Sequence, residues 1–330
     1  MKSGRTVLVE YLVLSELVVV FGVRADWSEP EVTTVRMERS ALMSFVESCF
    51  GSGGRVRDLV ELGMIDAWHA YDGLVAPLLR WSEPGDVVYL VPHGPLHYLP
   101  LHALSVDGRP LVERNPVVYS PSASVLGLLP SRRAADHTAR PKAVVFGDSR
   151  DDLPHARAEA VELASVFGVE PVLGAAVSLA AVADGFATAD VVHVAGHGRF
   201  DGTDPLASGV YLAGGEMLTA ADVLGLPKMQ ASVVTLSGCE TGVSQLRPGD
   251  ELIGLTRAFL YARTPALVVS LWSVADESTA YLMRRFYGHL RGGAVSTAHA
   301  LRQAVVDTMN EPRWSSFYYW APFVLIGDWR

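Results

Sequence analysis

The sequence has few cysteines, and this scarcity narrows the class of protein that it can encode. Only Cys49 and Cys239 occur among its 330 residues. A secreted fold held together by disulfides would contain more, so the cysteine usage favours a reducing compartment, and we expect a cytoplasmic protein. Cys49 follows the helix-like run 41–46 and is expected to be a packing residue. Cys239 is therefore the candidate for a reactive cysteine.

The sequence also lacks long apolar runs and an excess of basic residues. The longest apolar stretch near the N-terminus, Leu17–Val23, is far shorter than a membrane span. Glu10 and Glu16 interrupt the apolar residues around it, and no small-residue cleavage site follows. We therefore expect a pair of strands here, not a signal peptide or a membrane insertion. The formal net charge of −9 argues against a nucleic-acid partner, which would require a basic surface.

Several motifs of other enzyme classes are absent. The sequence contains no G-x-S-x-G nucleophile elbow and no Walker A loop, so it gives little support to a serine hydrolase or a nucleotide-binding protein. His193 and His197 have the four-residue spacing of a helical zinc site, but their valine-rich setting predicts a strand. A metal-dependent hydrolase using these histidines and Cys239 would lack a carboxylate in ligand spacing. We expect neither a metal nor another cofactor.

The second half of the chain alternates between predicted strands and helices. With 49% hydrophobic residues, the chain can bury a large core. The alternation predicts a mostly parallel sheet covered by helices on both faces. Residues 6–38 predict a small antiparallel meander, and the polar, uneven segment 131–142 predicts a linker. Because 330 residues exceed the usual size of a single domain, we expect one large domain or two coupled ones.

Two of the predicted strands end beside side chains that can do chemistry. The stretch 191–198 is predicted to be a strand that ends in His197 and Gly198, and strand 233–237 is followed by Cys239. If these strands are neighbours their ends lie about 5 Å apart, or about 10 Å with one strand between them. Either spacing brings a thiol and an imidazole within reach of one carbonyl group. A single such residue is more often part of the core, but the pair at equivalent strand ends favours a cysteine–histidine dyad.

The segments His193–Gly198 and Leu236–Gly242 resemble those of the CHAT family, which are caspase-like cysteine peptidases related to separase. Other landmarks of that family occur along nearly the whole chain, at 92–100, 270–276, 286–287 and 319–329. The resemblance implies a three-layer α/β/α caspase-like sandwich. Residues 1–130 would form a pseudo-caspase-like N-terminal half, 131–142 a linker and 143–330 the peptidase half, all within one CHAT domain.

The resemblance also implies roles for individual residues. Cys239 would be the nucleophile and His197 the general base and acid, with an oxyanion hole formed by Gly198 and the Cys239 amide. In related enzymes the primary substrate pocket is built from the end of the first strand, the residues beside the cysteine and the strand after it. The matching residues here are Asp148, Glu240, Trp272 and Asp276. An acid facing the pocket would favour a basic P1 residue, an apolar pocket is the alternative, and each acid is equally well explained as a solvated or capping residue.

The function expected on these grounds is that of a cysteine endopeptidase. It would cut a protein substrate, be regulated by an activating partner, work as an unprocessed single chain and act in bacterial defence or regulated cell death. The alternative is a catalytically silent scaffold that binds a protein partner through the same cleft. The presence of Cys239, His197 and their flanking glycines favours the enzyme.

Overall fold

One sheet of eleven strands forms the centre of the molecule. The computed structural model describes residues 5–50, 56, 65–129, 141–199, 201, 203–226, 229–237, 253–272, 274, 276–292 and 295–330. Its strands are β1 (Thr6–Val13), β2 (Leu17–Arg24), β3 (Glu31–Arg36), β4 (Val87–Val91), β5 (Ser105–Val106), β6 (Arg109–Pro110), β7 (Val117–Tyr119), β8 (Ala143–Gly147), β9 (Val172–Leu173), β10 (Val191–Ala195), β11 (Gly198–Arg199), β12 (Gly209–Tyr211), β13 (Met217–Thr219), β14 (Val233–Leu236), β15 (Ala266–Ser270) and β16 (Phe323–Gly327).

The order of strands in this sheet is β3-β2-β1-β4-β7-β16-β15-β14-β10-β8-β9. Strands β1, β2 and β3 pair antiparallel, which confirms the predicted N-terminal meander. Residues of β1 alternate between buried and partly exposed, as expected when one face of a strand packs on the core. From β1 to β9 the pairings are parallel except for β15 with β16, so the sheet is mixed but mostly parallel, as predicted.

The N-terminal strands belong to the same sheet as the C-terminal ones. Tyr119 of β7 pairs with Ile326 of β16, which joins the two parts of the chain through parallel strands. The described residues therefore form one continuous sheet and do not show a separate N-terminal half. Most of the predicted linker, 131–140, lies outside the described residues, so the domain boundaries stay a prediction.

Helices cover the buried central strands. They are α1 (Arg39–Phe50), α2 (Ile65–His69), α3 (Leu78–Trp81), α4 (Leu111–Arg114), α5 (Ala123–Leu128), α6 (Pro154–Phe167), α7 (Leu179–Thr188), α8 (Ala220–Gly225), α9 (Ile253–Tyr261), α10 (Asp276–Arg291), α11 (Thr297–Met309) and α12 (Phe317–Trp320). Helices α6 and α11 both pack against α10, while α8 packs against α9. Every residue of β10, β14, β15 and β16 is buried, as expected for strands covered on both faces. Among the described helices, none is both long and apolar enough to cross a membrane.

A glycine at the end of β8 lets the next helix approach the sheet closely. A Cβ atom at Gly147 would lie 2.5 Å from the Ala160 Cβ and 2.9 Å from the Ala156 carbonyl oxygen, both on α6. Any larger residue would push α6 away from the strand. The close packing places the loop between β8 and α6, residues 148–153, beside the end of β10.

Candidate active site

The two strands predicted to carry the dyad are direct neighbours. Strands β10 and β14 pair in parallel, with Val194 opposite Leu236, and the Ser237 amide donates to the Val194 carbonyl over 2.9 Å. Of the two predicted spacings, the structure therefore has the shorter one. Cys239 and Glu240 lie outside the described residues, so their predicted roles are not tested by the structure.

His197 lies two residues beyond β10, with 25% of its side chain exposed. Its carbonyl oxygen accepts a hydrogen bond of 2.9 Å from the amide of Tyr211. Gly198, the next residue, begins β11 and pairs with Val210 of β12. A small antiparallel sheet of β11, β12 and β13 thus fixes the backbone at His197 and Gly198.

The His197 imidazole contacts a carboxylate that the sequence did not single out. Its Nε2 atom lies 3.3 Å from Oδ1 of Asp152, whose side chain is 43% exposed. The Arg150 Nε atom lies 3.4 Å from the other oxygen of Asp152. The sequence does not predict this contact, because Asp152 is one of three aspartates in the charged segment 148–152. Their spacing does not indicate which of them lies beside the next strand.

Asp148, predicted for the substrate pocket, is buried at the end of β8 with its oxygens occupied. One oxygen accepts from the Leu153 amide at 2.9 Å and the other from the Arg157 Nε at 2.8 Å. Burial on its own would raise the pKa of this carboxyl, but the two donors outweigh burial and the pKa lies below its ordinary value. Through these contacts Asp148 stabilises the backbone at the start of α6. Its place in a substrate pocket stays a prediction.

Trp272 follows β15, the strand on the other side of β14. Its indole Nε1 donates to the Tyr318 carbonyl over 3.1 Å, and its ring stacks on Phe317 with centroids 5.7 Å apart. Asp276 is the first residue of α10. Asp148, His197 and Trp272 therefore follow the carboxyl ends of three parallel strands at one edge of the sheet, which is the usual place for a ligand in such folds.

A buried polar network lies beneath this edge. His193 of β10 is fully buried; its Nδ1 is 3.1 Å from the Tyr287 hydroxyl, and its Nε2 is 3.1 Å from the Glu159 Oε1, off the line of a straight hydrogen bond. The same Oε1 accepts a hydrogen bond of 2.8 Å from Ser237, and Tyr287 donates to Thr235 over 2.7 Å. The network joins β10 and β14 through side chains of α6 and α10.

One member of this network could have been predicted from the pattern of residues along α6. Along α6, residues 156, 159, 160 and 163 have the spacing of one helix face, and three of the four are apolar. Glu159 is the acid on that face, and an acid on a buried face needs a partner. Among the described residues, no group of three or more histidine, cysteine or acidic side chains is arranged to hold a metal ion.

A polar cavity of about 530 Å³ is bordered by Tyr211, whose amide donates to the His197 carbonyl. Its lining consists of Ser149, Arg150, Asp151, Ala175, Tyr211, Ala213, Gly214 and Gly215. The Arg150 guanidinium lies over the Tyr211 ring, 5.2 Å from its centroid. A larger cavity of about 640 Å³, between the starts of α7 and α8, includes neither His197 nor Asp152 in its lining.

Comparison with known proteins finds matches in both sequence and fold. The model of the CHAT domain matches residues 66–328. The tetratricopeptide repeat protein 28 of Homo sapiens is 26% identical in an alignment 288 residues long, which covers 76% of this chain and 11% of that protein. Its counterpart from Mus musculus is 33% identical over 112 residues, 34% of this chain and 4% of that protein. The chain thus spans only a small part of the length of these relatives.

Two crystal structures of the Saccharomyces cerevisiae separase–securin complex have a similar fold. Each superposes with a TM-score of 0.50 over 73% of this chain and 15% of the matched chain, at 17% and 18% sequence identity. At this level of identity the similarity concerns the fold alone. It confirms the predicted relation to separase at the level of architecture.

Proposed function

The chain belongs to the CHAT domain family, and from that premise we propose that it is a cysteine endopeptidase. Cys239 is the nucleophile and His197 is the general base and acid. The observation that supports this most strongly is the pairing register of β10 and β14. Val194 lies opposite Leu236, His197 is three residues after the one, and Cys239 is three residues after the other.

The proposed reaction follows the chemistry of a thiol beside an imidazole. His197 takes the proton of the Cys239 thiol, and the sulfur attacks the carbonyl carbon of the scissile peptide bond. The amides of Gly198 and Cys239 stabilise the oxyanion. As the C–N bond breaks, His197 gives its proton to the leaving amine and a thioester remains. Water, deprotonated by His197, then hydrolyses the thioester to release the acid and restore the thiol.

The substrate is proposed to be a protein whose P1 side chain lies near the ends of β8, β14 and β15. The residues proposed to line that pocket are Asp148, Glu240, Trp272 and Asp276. Because the Asp148 oxygens already accept from Leu153 and Arg157, this residue has less capacity to bind a basic P1 side chain than an unpaired acid would have. Both a basic and an apolar P1 residue fit the proposal.

Further parts of the proposal depend on the family resemblance. They are regulation by an activating protein partner, a cytoplasmic location, and a role in bacterial defence or regulated cell death. The N-terminal part, residues 1–130, is proposed to be a pseudo-caspase-like half that shares the sheet with the peptidase half. We also propose that the enzyme works without being cleaved into two subunits; two fragments in the intact mass of active enzyme would contradict this.

A peptide-library cleavage assay tests the activity. We expect the wild-type protein to cleave peptides and the Cys239→Ala variant to cleave none, with wild-type activity unchanged by a metal chelator. The matched control is Cys49→Ala, because Cys49 is the buried cysteine of α1 and has no role in the proposed reaction. Equal activity in wild type and Cys239→Ala, or none in either with candidate activators present, would favour the silent scaffold that binds a partner through the same cleft.

A further inference from the structure

Among the described residues, the His197 imidazole has a carboxylate partner on one of its two nitrogens. Asp152 Oδ1 lies 3.3 Å from Nε2. The contact is a close approach of charge rather than a straight hydrogen bond, and the negative charge of an ionised carboxylate favours the proton on the nearer nitrogen, Nε2. In the neutral ring the lone pair is then at Nδ1. The contact therefore distinguishes the two nitrogens and selects one tautomer.

Asp152 is itself held in place by contacts that return to His197. Arg150 lies 3.4 Å from Asp152 Oδ2, and its guanidinium lies over the Tyr211 ring. The Tyr211 amide donates to the His197 carbonyl, and its own carbonyl accepts a hydrogen bond of 2.7 Å from Ser149. The contacts thus lead from His197 through Asp152, Arg150 and Tyr211 back to His197. This network fixes both the backbone and the ring of His197.

We propose that Asp152 is a positioning residue for the imidazole of His197. It keeps the proton of the neutral ring on Nε2, so that Nδ1 is the nitrogen that accepts the thiol proton and later returns it to the leaving amine. No proton passes to Asp152 during the reaction. The role assigned to Asp152 rests on the proposed function, but its effect on the tautomer is independent of it.

The exposure of the pair separates this role from a structural one. Both side chains are partly exposed, and ion pairs of that kind contribute little to folding. Removing the carboxylate should therefore leave the fold intact while releasing the ring. Asp184 provides a matched control, because it is an exposed aspartate on α7 that lines neither cavity described above.

The experiment compares Asp152→Ala, Asp152→Glu and Asp184→Ala with wild type. We expect Asp152→Ala to lower kcat about 10- to 100-fold with unchanged KM and unchanged melting temperature, in line with the loss of a partner that orients a reacting group. The Asp152→Glu variant, which keeps the carboxylate, should recover part of kcat. Asp184→Ala should match wild type in every measurement.

Nitrogen-15 NMR of the histidine side chains gives a readout that does not require activity. The His197 signals, assigned by their loss in His197→Gln, should show the Nε2–H tautomer in wild type and a mixture of both tautomers in Asp152→Ala. The proposal is overturned if the tautomer is the same in both proteins, or if Asp152→Ala changes KM and not kcat. If wild type cleaves nothing the proposed function fails, while the tautomer still decides whether Asp152 orients His197.

Discussion

His193 and His197 are four residues apart, yet their environments differ in almost every respect. His197 lies beyond the end of β10, partly exposed, with a partly exposed aspartate beside one nitrogen. His193 lies inside β10, fully buried, between Glu159 and Tyr287. The first ring is open to solvent over part of its surface, whereas the second ring is enclosed by the core. The distance from the strand end, not the residue type, separates the partly exposed histidine from the buried one.

The hydrogen bonds around His193 fix where its protons lie. Tyr287 uses its only hydroxyl hydrogen on Thr235, so its oxygen must accept from His193 Nδ1–H. The Nε2 atom then faces Glu159, and the contact is favourable only with a proton on one of the two groups. The pair is therefore neutral overall, as an imidazolium with a carboxylate or as two uncharged groups, which is the condition for burying it at an acceptable free energy.

Substitution of His197 tests the functional side of the comparison. We expect His197→Ala to lower kcat about 10²- to 10⁴-fold, because the general base and acid is lost. The free energy of unfolding should change by less than about 0.5 kcal/mol, because the side chain is partly exposed. Urea denaturation and peptide cleavage measure the two quantities.

His69→Ala is the matched control for this prediction. His69 is exposed and its Nδ1 lies 3.0 Å from the Asp72 carboxylate, so it resembles the pair of His197 and Asp152 but lies at the end of α2. Its removal should leave kcat unchanged. Retention of cleavage by His197→Ala would remove this residue from the proposed mechanism.

Removal of the buried acid tests the structural side of the comparison. We expect Glu159→Ala to lower the free energy of unfolding by about 3–5 kcal/mol, because it leaves His193 and Ser237 without their buried partner. Glu162→Ala, three residues along the same helix, removes the partly exposed partner of Arg284 and should cost at most about 1 kcal/mol. Equal losses in the two variants, measured by urea denaturation, would show that the network does not depend on Glu159.

A third histidine shows what burial does without an acid partner. His102 is buried with Nδ1 2.9 Å from the Tyr119 hydroxyl, and its Nε2 has no hydrogen-bond partner among the described residues. Burial lowers the pKa of His102 to about 3. In the unfolded chain this histidine takes up a proton near its ordinary pKa of about 6.5, whereas in the folded protein it does not until about pH 3. Its contribution to stability is therefore lost as the pH falls below about 6.5.

The expected size of this effect is at most about 1.4 kcal/mol per pH unit. Urea denaturation of wild type and His102→Gln between pH 6.5 and about 4.5 measures it as the difference in slope, with wild type losing stability more steeply as the pH falls. Parallel slopes would mean that His102 is protonated in the folded protein or that the ring is not buried.

Much of the fold could be predicted from local patterns. The valine-rich runs in 191–198 and 233–237 predicted buried strands, and the structure has β10 (Val191–Ala195) and β14 (Val233–Leu236) there. The alternation with helices predicted a parallel sheet, and the family motifs predicted the relation to separase. The position of β16, parallel to β7 and antiparallel to β15, joins the two parts of the chain. It was not predicted, because a run of apolar residues does not encode the direction of its neighbour.

By itself, the sequence determined the elements and the family, because hydrophobic periodicity and short motifs are properties of neighbouring residues. The sequence alone places His197 and Gly198 at the end of a strand. Only the tertiary structure decided which side chains from distant parts of the sequence contact one another. Ser237 reaches Glu159 across 78 positions and His193 reaches Tyr287 across 94. Such contacts depend on which helix packs over which strands, and this is settled by burial of the whole core.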